Sequence, residues 1–442
     1  MFPTSIPDLY QRFLESQRVV SIDSRRISPG CLFFALKGER FDGNAYAAEA
    51  LRQGASWAVV DDPAVAGEHE RFLWVDDALG SLQQLATHHR RQFDIPLLAI
   101  TGSNGKTTTK ELIAAVLFSQ YRLHFTQGNL NNHIGVPLTL LAMPPETEVA
   151  VIEMGANHQG EIDLLCRIAL PTHGIITNIG KAHLEGFGGI EGVKKGKSEL
   201  YRFLAAHGGV AFINQDEPFL GELAAPVGKK VFYREAAEGE GDFDRGYGIR
   251  LLAEKPFIRA AFEAEGSDFP IDSYLPGRHN FQNIKTAIAI GKYFKVPPAK
   301  IVRAIATYLP SNNRSQWLQQ GTNSVLLDAY NANPTSMSHA LQAFAGSPGE
   351  RRVAILGEML ELGAESAAEH RKVLEYARSL PEIDQVLTVG AGFAEASRAL
   401  AIPHFPDLLE LQRWLEDHPV EGASVLLKAS RGVGLERILP YL

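Results

Sequence analysis

The chain has 442 residues, 45% hydrophobic and 21% charged, with 43 basic and 51 acidic side chains for a net charge of −8. This is the make-up of a globular protein of about two to four domains, and without any Lys/Arg run it excludes nucleic acid as the main partner. No apolar stretch reaches membrane-spanning length, the N-terminus lacks the regions of a secretory leader, and Cys31 and Cys166 sit in no metal-ligand spacing, so no membrane insertion and a cytoplasmic location are expected.

The first block, residues 1–85, alternates short apolar strands (Cys31 to Leu36, Ala58 to Val60, Phe72 to Val75) with an Ala-rich helix from Ala45 to Gln53. It carries Asp23-Ser24-Arg25 and the stretch Lys37-Gly-Glu-Arg-Phe41-Asp-Gly-Asn44. The second block, 86–309, has strand candidates at Pro96 to Ile100, Val149 to Met154, Gly174 to Asn178 and Val210 to Asn214, with helical patterns between them. That alternation predicts a mostly parallel sheet with crossover helices. Glu238 to Arg245, rich in Gly and acid, reads as an exposed loop. The third block, 310–442, repeats the alternation (Ser324 to Asp328, Arg352 to Leu356, Gln385 to Val389, Ser424 to Lys428) and predicts a smaller, Rossmann-like α/β domain. The expected fold is therefore α/β in three domains.

The strand before Ile100 runs into Thr101-Gly102-Ser-Asn104-Gly105-Lys106-Thr107-Thr108, and a helical pattern follows from Thr107 to Gln120. Strand, Gly-rich turn and helix is the setting of a phosphate-binding loop. Backbone N–H groups and the helix N-terminus face the anion, the lysine reaches the terminal phosphates, and the hydroxyl of Thr107 can ligate Mg²⁺. Ile100 stands where the usual pattern has its first glycine, so this is a narrower variant.

Four further places carry chemistry. The strand from Val149 delivers Glu153 at its carboxyl end, where open α/β sheets place their sites; it reads either as a Mg²⁺ holder or as a polar strand terminus. The run ending at Thr177 leads to His183, and Lys197 follows on a predicted helix with nothing to set it above Lys194 or Lys195. Asn280 and Asn283 lie one helical turn apart, where the amides could read an adenine edge or cap the helix. Asp328-Ala-Tyr330-Asn331, Leu356-Gly-Glu358 and Lys428-Ala-Ser430-Arg431 all follow predicted strands and could share one sheet edge; the last suits an anionic group.

Together these motifs resemble the Mur ligases, which add amino acids to the bacterial peptidoglycan precursor, and the resemblance covers essentially the whole chain. Thr101 to Thr107 looks like their ATP loop. The resemblance assigns Glu153 and His183 to magnesium and Lys197 to a carbamylated lysine, with Lys106 and these three as catalytic residues and Thr107, Glu153, His183 and Lys197 as metal holders. It places ATP on Gly102, Asn104, Gly105, Lys106, Thr107, Thr108, Asn280, Asn283, Arg314, Asp328, Tyr330 and Asn331. It makes the first block a uridine-nucleotide domain using Ser24, Arg25, Lys37 and Phe41. The stretches Gly128 to Pro137, Gly155 to Ile162, Ala182 to Gly188 and Tyr330 to Pro334 look like the branch acting on UDP-MurNAc-tripeptide and D-Ala-D-Ala. The first two of these stretches add Asn129, Asn131, Asn132, Asn157 and His158 as substrate contacts, and the resemblance adds Lys428, Ser430 and Arg431 from the cluster at the end of the third block.

The implied reaction is ATP-dependent amide formation through an acyl phosphate, with two Mg²⁺ ions, in a monomer whose third domain closes over ATP. The sequence departs from the family pattern at Asn312 to Gln316, where Gly-Arg is frequent, at Ala429, where Gly is common, and at Glu358, which replaces a frequent Asp. A folylpolyglutamate-synthetase-like ligase is the nearest alternative. A nucleotide switch is a second, but the guanine-reading Asn-Lys-x-Asp is absent.

Overall fold

The computed structural model describes residues 2–181 and 183–442; Met1, and Ala182 at the head of one family-like stretch, lie outside the described residues. The α/β expectation is borne out by three main sheets. In the first, the strands Val20–Ser21, Leu32–Phe34, Trp57–Val60 and Phe72–Trp74 lie side by side in parallel. The helices Ile6–Glu15 and Ala78–Arg90 cover it, each capped by a side chain, Ser5 and Asp77, that accepts a first-turn N–H.

Helix Ala78–Arg90 runs through the expected 85/86 division. One apolar cluster joins Leu82 and Leu85 to Leu9 and Phe34 on one side and to Leu140, Ile152 and Leu165 on the other. Arg90 buries its guanidinium there and donates to the carbonyls of Ala169, Phe93 and Ile95. The first and central units are thus joined by a shared helix in a shared core.

The central sheet has nine strands, and its middle carries the site. Leu97–Thr101 lies between His173–Ile176 and Val149–Glu153, all parallel. Beyond His173–Ile176 come Val210–Asn214, Lys229–Glu235 and Gly246–Ala253, still parallel. Two antiparallel strands, Arg259–Ala264 and Ser267–Asp272, finish that edge. Every residue of Leu97–Thr101 and Val149–Glu153 is buried, as expected for strands covered by helices on both faces. Glu238 to Arg245 falls between strands, as its composition predicted.

The third sheet orders Gln316–Gln320, Asn323–Asp328, Ser424–Lys428, Arg352–Gly357, Gln385–Val389 and His404–Phe405, all parallel except the first. The carboxyl ends of Asn323–Asp328 and Ser424–Lys428 face the carboxyl end of the central sheet across a cleft of about 900 Å³.

Candidate active site

The loop after Leu97–Thr101 needs glycine at two places. Gly102 has φ +140°, and a Cβ there would stand 2.0 Å from Thr177 Oγ1. Gly105 has φ +77°, and its Cβ would meet Asn283 Oδ1 at 2.6 Å. These approaches staple the loop to its neighbours. Asn104 N–H donates to Asn178 Oδ1 at 3.0 Å, Thr177 Oγ1 donates to Asn104 O at 2.6 Å, and Ser103 Oγ donates to Gly180 O at 3.0 Å.

Helix Lys106–Phe118 starts directly on Gly105, so Lys106 and Thr107 sit in its first turn. Lys106 Nζ folds into the loop and donates to Gly102 O at 2.7 Å and Ser103 O at 3.2 Å. Its surroundings lower its pKa to about 8, through desolvation first, with Glu153 opposing and Arg314 adding to the shift. Part of the side chain still meets the cleft, and an anion there would favour the charged form further.

Glu153 ends its strand 1% exposed. Its Oε1 accepts from Thr107 Oγ1 at 3.2 Å and Asn131 Nδ2 at 2.8 Å, and its N–H donates to Thr126 Oγ1. Its Oε2 is buried with no hydrogen-bond partner, and Lys110 Nζ lies 3.9 Å away. A hydroxyl beside a carboxylate with one unspent oxygen is the hard, oxygen-only donor set that Mg²⁺ takes, so the residues present fit that ion. His183 lies on the same cleft, but its Nδ1 faces Glu361 Oε2 of the third unit at 2.6 Å, and that contact lowers the Glu361 pKa. Among the described residues no three His, Cys, Asp or Glu side chains form a metal-holding group.

Burial distinguishes the lysines that the sequence left equal. Lys194 pairs with Glu191 at 2.8 Å and Lys195 is exposed. Lys197 is 1% exposed, donates to Ala156 O at 3.0 Å and lies 4.9 Å from the centre of the Phe187 ring. Desolvation, then Lys106, pushes its pKa well below the ordinary lysine value. The tight seat has a local cause: Cβ atoms at Gly192 and Gly196 would strike Phe187 at 1.7 Å and 2.4 Å.

Asn280 and Asn283 are both buried and bonded to protein. Asn280 Nδ2 donates to Pro276 O, Asn283 Nδ2 to Asn280 Oδ1, and Thr109 Oγ1 to Asn283 Oδ1. They lock helix Arg278–Tyr293 against the loop helix while still lining the cleft. The cap position is Gly277, without a side-chain cap.

On the opposite wall, Arg314 stacks on Tyr330 at 3.7 Å, with its Nε buried and unpartnered. Asp328 takes Lys428 Nζ at 2.9 Å, and Lys428 also donates to Asn331 O. Ser430 Oγ accepts from Leu360 N–H at 2.9 Å. Of the Lys-x-Ser-Arg cluster, the exposed Arg431, 3.3 Å from Tyr330 Oη, is left facing solvent. Glu358, the Asp replacement, accepts from Gly392 N–H at 2.8 Å.

The substrate-side residues are more open. Arg25 pairs with Asp23 at 2.9 Å with its side chain 87% exposed, next to Ser24. Lys37 pairs with Asp61 at 2.9 Å, and Phe41 is 59% exposed. Asn129, Asn132, Asn157 and His158 are exposed. Asn132 Oδ1 accepts from Gly135 N–H, and Glu161 accepts from the backbone of Asn157 and His158. Thr108 and Asn131 line the main cleft.

Further residues line the cleft or tie its two walls together. Asn333 Nδ2 donates to Asn104 Oδ1 at 2.7 Å, and Lys181 pairs with Glu369 at 2.9 Å, each bridging the central and third units. His279 and His339 stack across the same seam, centroids 5.4 Å apart. Glu217 lines the cleft just beyond Val210–Asn214; its place after a buried parallel strand was the available signal.

Comparison with known proteins accords with this geometry. The sequence models of the Mur ligase family catalytic domain, the Mur ligase middle domain and the Mur ligase glutamate ligase domain match residues 18–90, 100–291 and 313–431. The Bacillus subtilis UDP-N-acetylmuramoyl-tripeptide–D-alanyl-D-alanine ligase is 36% identical over 96% of this chain and 92% of its own. A crystal structure of MurF from Acinetobacter baumannii superposes with a TM-score of 0.83 at 32% identity, covering 97% of each chain. The MurF ligase from Thermotoga maritima in complex with ADP gives 0.83 at 27% identity, covering 96% of this chain and 97% of that one. With a phosphate loop, an acid-ended neighbouring strand and a facing third unit in one cleft, the chain belongs to the Mur ligase family.

Proposed function

We propose that this chain uses ATP to join D-alanyl-D-alanine to UDP-N-acetylmuramoyl-tripeptide, forming the pentapeptide precursor of peptidoglycan. The observation that carries the reading is the full-length likeness to ligases of that name, joined to a phosphate loop whose Thr107 and Glu153 present adjacent oxygens. In this reading the first unit holds the uridine nucleotide through Ser24, Arg25, Lys37 and Phe41. The central unit holds ATP, and the third unit closes on it and takes the dipeptide beside Arg431.

The chemistry follows from charge. A tripeptide carboxylate attacks the γ-phosphorus, ADP leaves, and an acyl phosphate forms. The dipeptide amine then attacks the acyl carbon and phosphate departs. Carboxylate and triphosphate repel, so Lys106 acts as a fixed cation at the phosphates. Thr107 and Glu153 would hold Mg²⁺, which neutralises phosphate charge when bound. His183 joins that group if Glu361 releases it. Burial favours the neutral amine of Lys197, the form whose lone pair can attack CO₂: an N–C bond forms as a C–O π bond opens, a proton leaves, and an anionic carbamate replaces an amine that could not face a cation. Closure of the third unit keeps water from the acyl phosphate.

The test is phosphate release from ATP with UDP-MurNAc-tripeptide, with and without D-Ala-D-Ala, beside D-alanine alone and folate plus glutamate. Release that requires both named substrates, with pentapeptide formed, is the expected result. Release with another pair only moves the enzyme to a sister activity.

A further inference from the structure

Lys110 is a second lysine beside the phosphate loop, and the proposed chemistry leaves it unused. It follows Lys106 by one turn of helix Lys106–Phe118 and is 1% exposed. Among the described residues its Nζ makes one hydrogen bond, to Thr126 O at 2.9 Å. Thr126 is itself fully buried and takes the Glu153 N–H on its hydroxyl, so one residue fixes the lysine head and the Glu153 backbone together. Two carboxylate oxygens stand just beyond hydrogen-bond reach of Nζ: Glu153 Oε2 at 3.9 Å and Glu111 Oε1 at 4.0 Å. The first is the buried oxygen without a hydrogen-bond partner, and among the described residues Lys110 is the one cation within 4.0 Å of it. Charges buried alone are costly, and a pair of opposite sign offsets part of that cost.

Glu111 leads away from the cleft. Its Oε2 accepts from Tyr308 Oη at 2.6 Å and its Oε1 from Asn312 Nδ2 at 3.3 Å. Both partners lie between helix Pro298–Ala306 and strand Gln316–Gln320, where the chain passes from the central to the third unit. Asn312, Asn313 and Ser315 hold φ of 59°, 56° and 46° there, a left-handed backbone that costs residues other than glycine. Lys110 therefore stands between the oxygen that fits Mg²⁺ and the carboxylate that ties down this connecting segment.

We propose that Lys110 is a positioning residue: it is the internal counter-cation of Glu153 in the unloaded protein, and a divalent ion at Glu153 drives its ammonium toward Glu111. The proposal rests on the reading of Glu153 as a holder of Mg²⁺. Ion and ammonium repel strongly at short range in a buried pocket, so they cannot share Glu153 Oε2. Glu111 is the other carboxylate within 4.0 Å of Nζ among the described residues, and an ammonium that moves there competes with Asn312 for Oε1. Occupancy of the metal position is thereby read at the entry to the third unit.

The experiment follows the melting temperature of the full chain at fixed ADP while Mg²⁺ rises from chelated to saturating, which needs no turnover. Without the ion, Lys110→Met should melt about 5 °C or more below wild type, because a buried carboxylate loses its counter-charge. The same substitution should cost far less in a Glu153→Gln background, where no carboxylate needs a cation. With saturating Mg²⁺ the Lys110→Met deficit should shrink to about half or less, and half-maximal stabilisation should need about tenfold less Mg²⁺. Glu111→Gln should raise the Mg²⁺ requirement severalfold, and should leave it unchanged in a Lys110→Met background; if Lys110→Met does not fold, Glu111→Gln alone decides. A Lys110→Met deficit equal with and without the ion, a higher Mg²⁺ requirement in that variant, or an unaltered requirement in Glu111→Gln would overturn the proposal. If the Mg²⁺ effect is still lost in Glu153→Gln, the metal reading survives that failure. Mg²⁺ stabilisation that persists unchanged in Glu153→Gln would overturn both.

Discussion

At the phosphate loop, Lys106, Thr107 and Glu153 are gripped by protein atoms on almost every side, whereas Arg25, Lys37 and Phe41 in the first unit stand largely in solvent. Both regions are assigned to anionic substrate, but they are built for different tasks. The loop holds its groups before anything binds, and such preorganisation lowers the barrier of a reaction. The first unit offers water-screened groups, and contacts from such groups would favour binding of the substrate and its transition state alike. In the proposed function, chemistry and handle are thus separated in space and in energetic style.

The sharpest way to break that comparison is to remove one group from each region. Lys106→Ala should lower turnover by roughly a hundredfold or more, with the fold intact by circular dichroism; near-normal phosphate release would take Lys106 out of the mechanism. Lys197→Ala should lose at least about tenfold and regain part of it in acetate, since a small carboxylate can replace the carbamate. Full activity of that variant without acetate contradicts the carbamate. In contrast, Arg25→Ala or Phe41→Ala should raise KM for the uridine substrate about tenfold with kcat nearly unchanged, the mark of uniform binding. A fall in kcat instead would place the first unit within the chemistry.

A fourth prediction concerns both regions at once. His89, in the core that joins the first and central units, His173 at the start of its central strand and His279 at the cleft are each lowered to about 4, mainly by burial. The unfolded chain binds their protons near pH 6.5, so the stability tied to their neutral forms is complete above that value. It is lost as pH falls from about 6.5 to about 4. Melting temperature should drop by about 5 °C or more across that window; a flat profile would show the three sites to be hydrated. The smallest effect is expected from Asn333→Ala, about threefold on the KM for ATP, from one lost hydrogen bond.

The loop and Glu153 were legible because their signals are local: glycines before a lysine, and an acid at the end of an apolar run. The alternating strands were legible for the same reason. Lys197 was not separable from Lys194 or Lys195, since its burial comes from the close seat of Gly192 and Gly196 on Phe187. The pairs that bridge the units were invisible because they join residues 188 and 229 positions apart. The amides of Asn280 and Asn283 could be located from sequence, but their hydrogen bonds to Pro276 and Thr109 depend on helix packing.

The seam between the central and third units has a consequence for inhibition. Among the described residues its polar ties include Asn104 with Asn333, Lys181 with Glu369, His183 beside Glu361, and Asn312 with Glu111. Partly exposed contacts of this kind contribute on the order of 1 kcal/mol each or less. Contacts this weak hold the two units together only shallowly, and a compound that touches one wall alone gains nothing from any closure of the third unit. One that spans Asn104 and Asn333 together draws on the difference in affinity between closed and open forms. A bridging molecule of modest size can therefore outcompete a larger one confined to the phosphate loop.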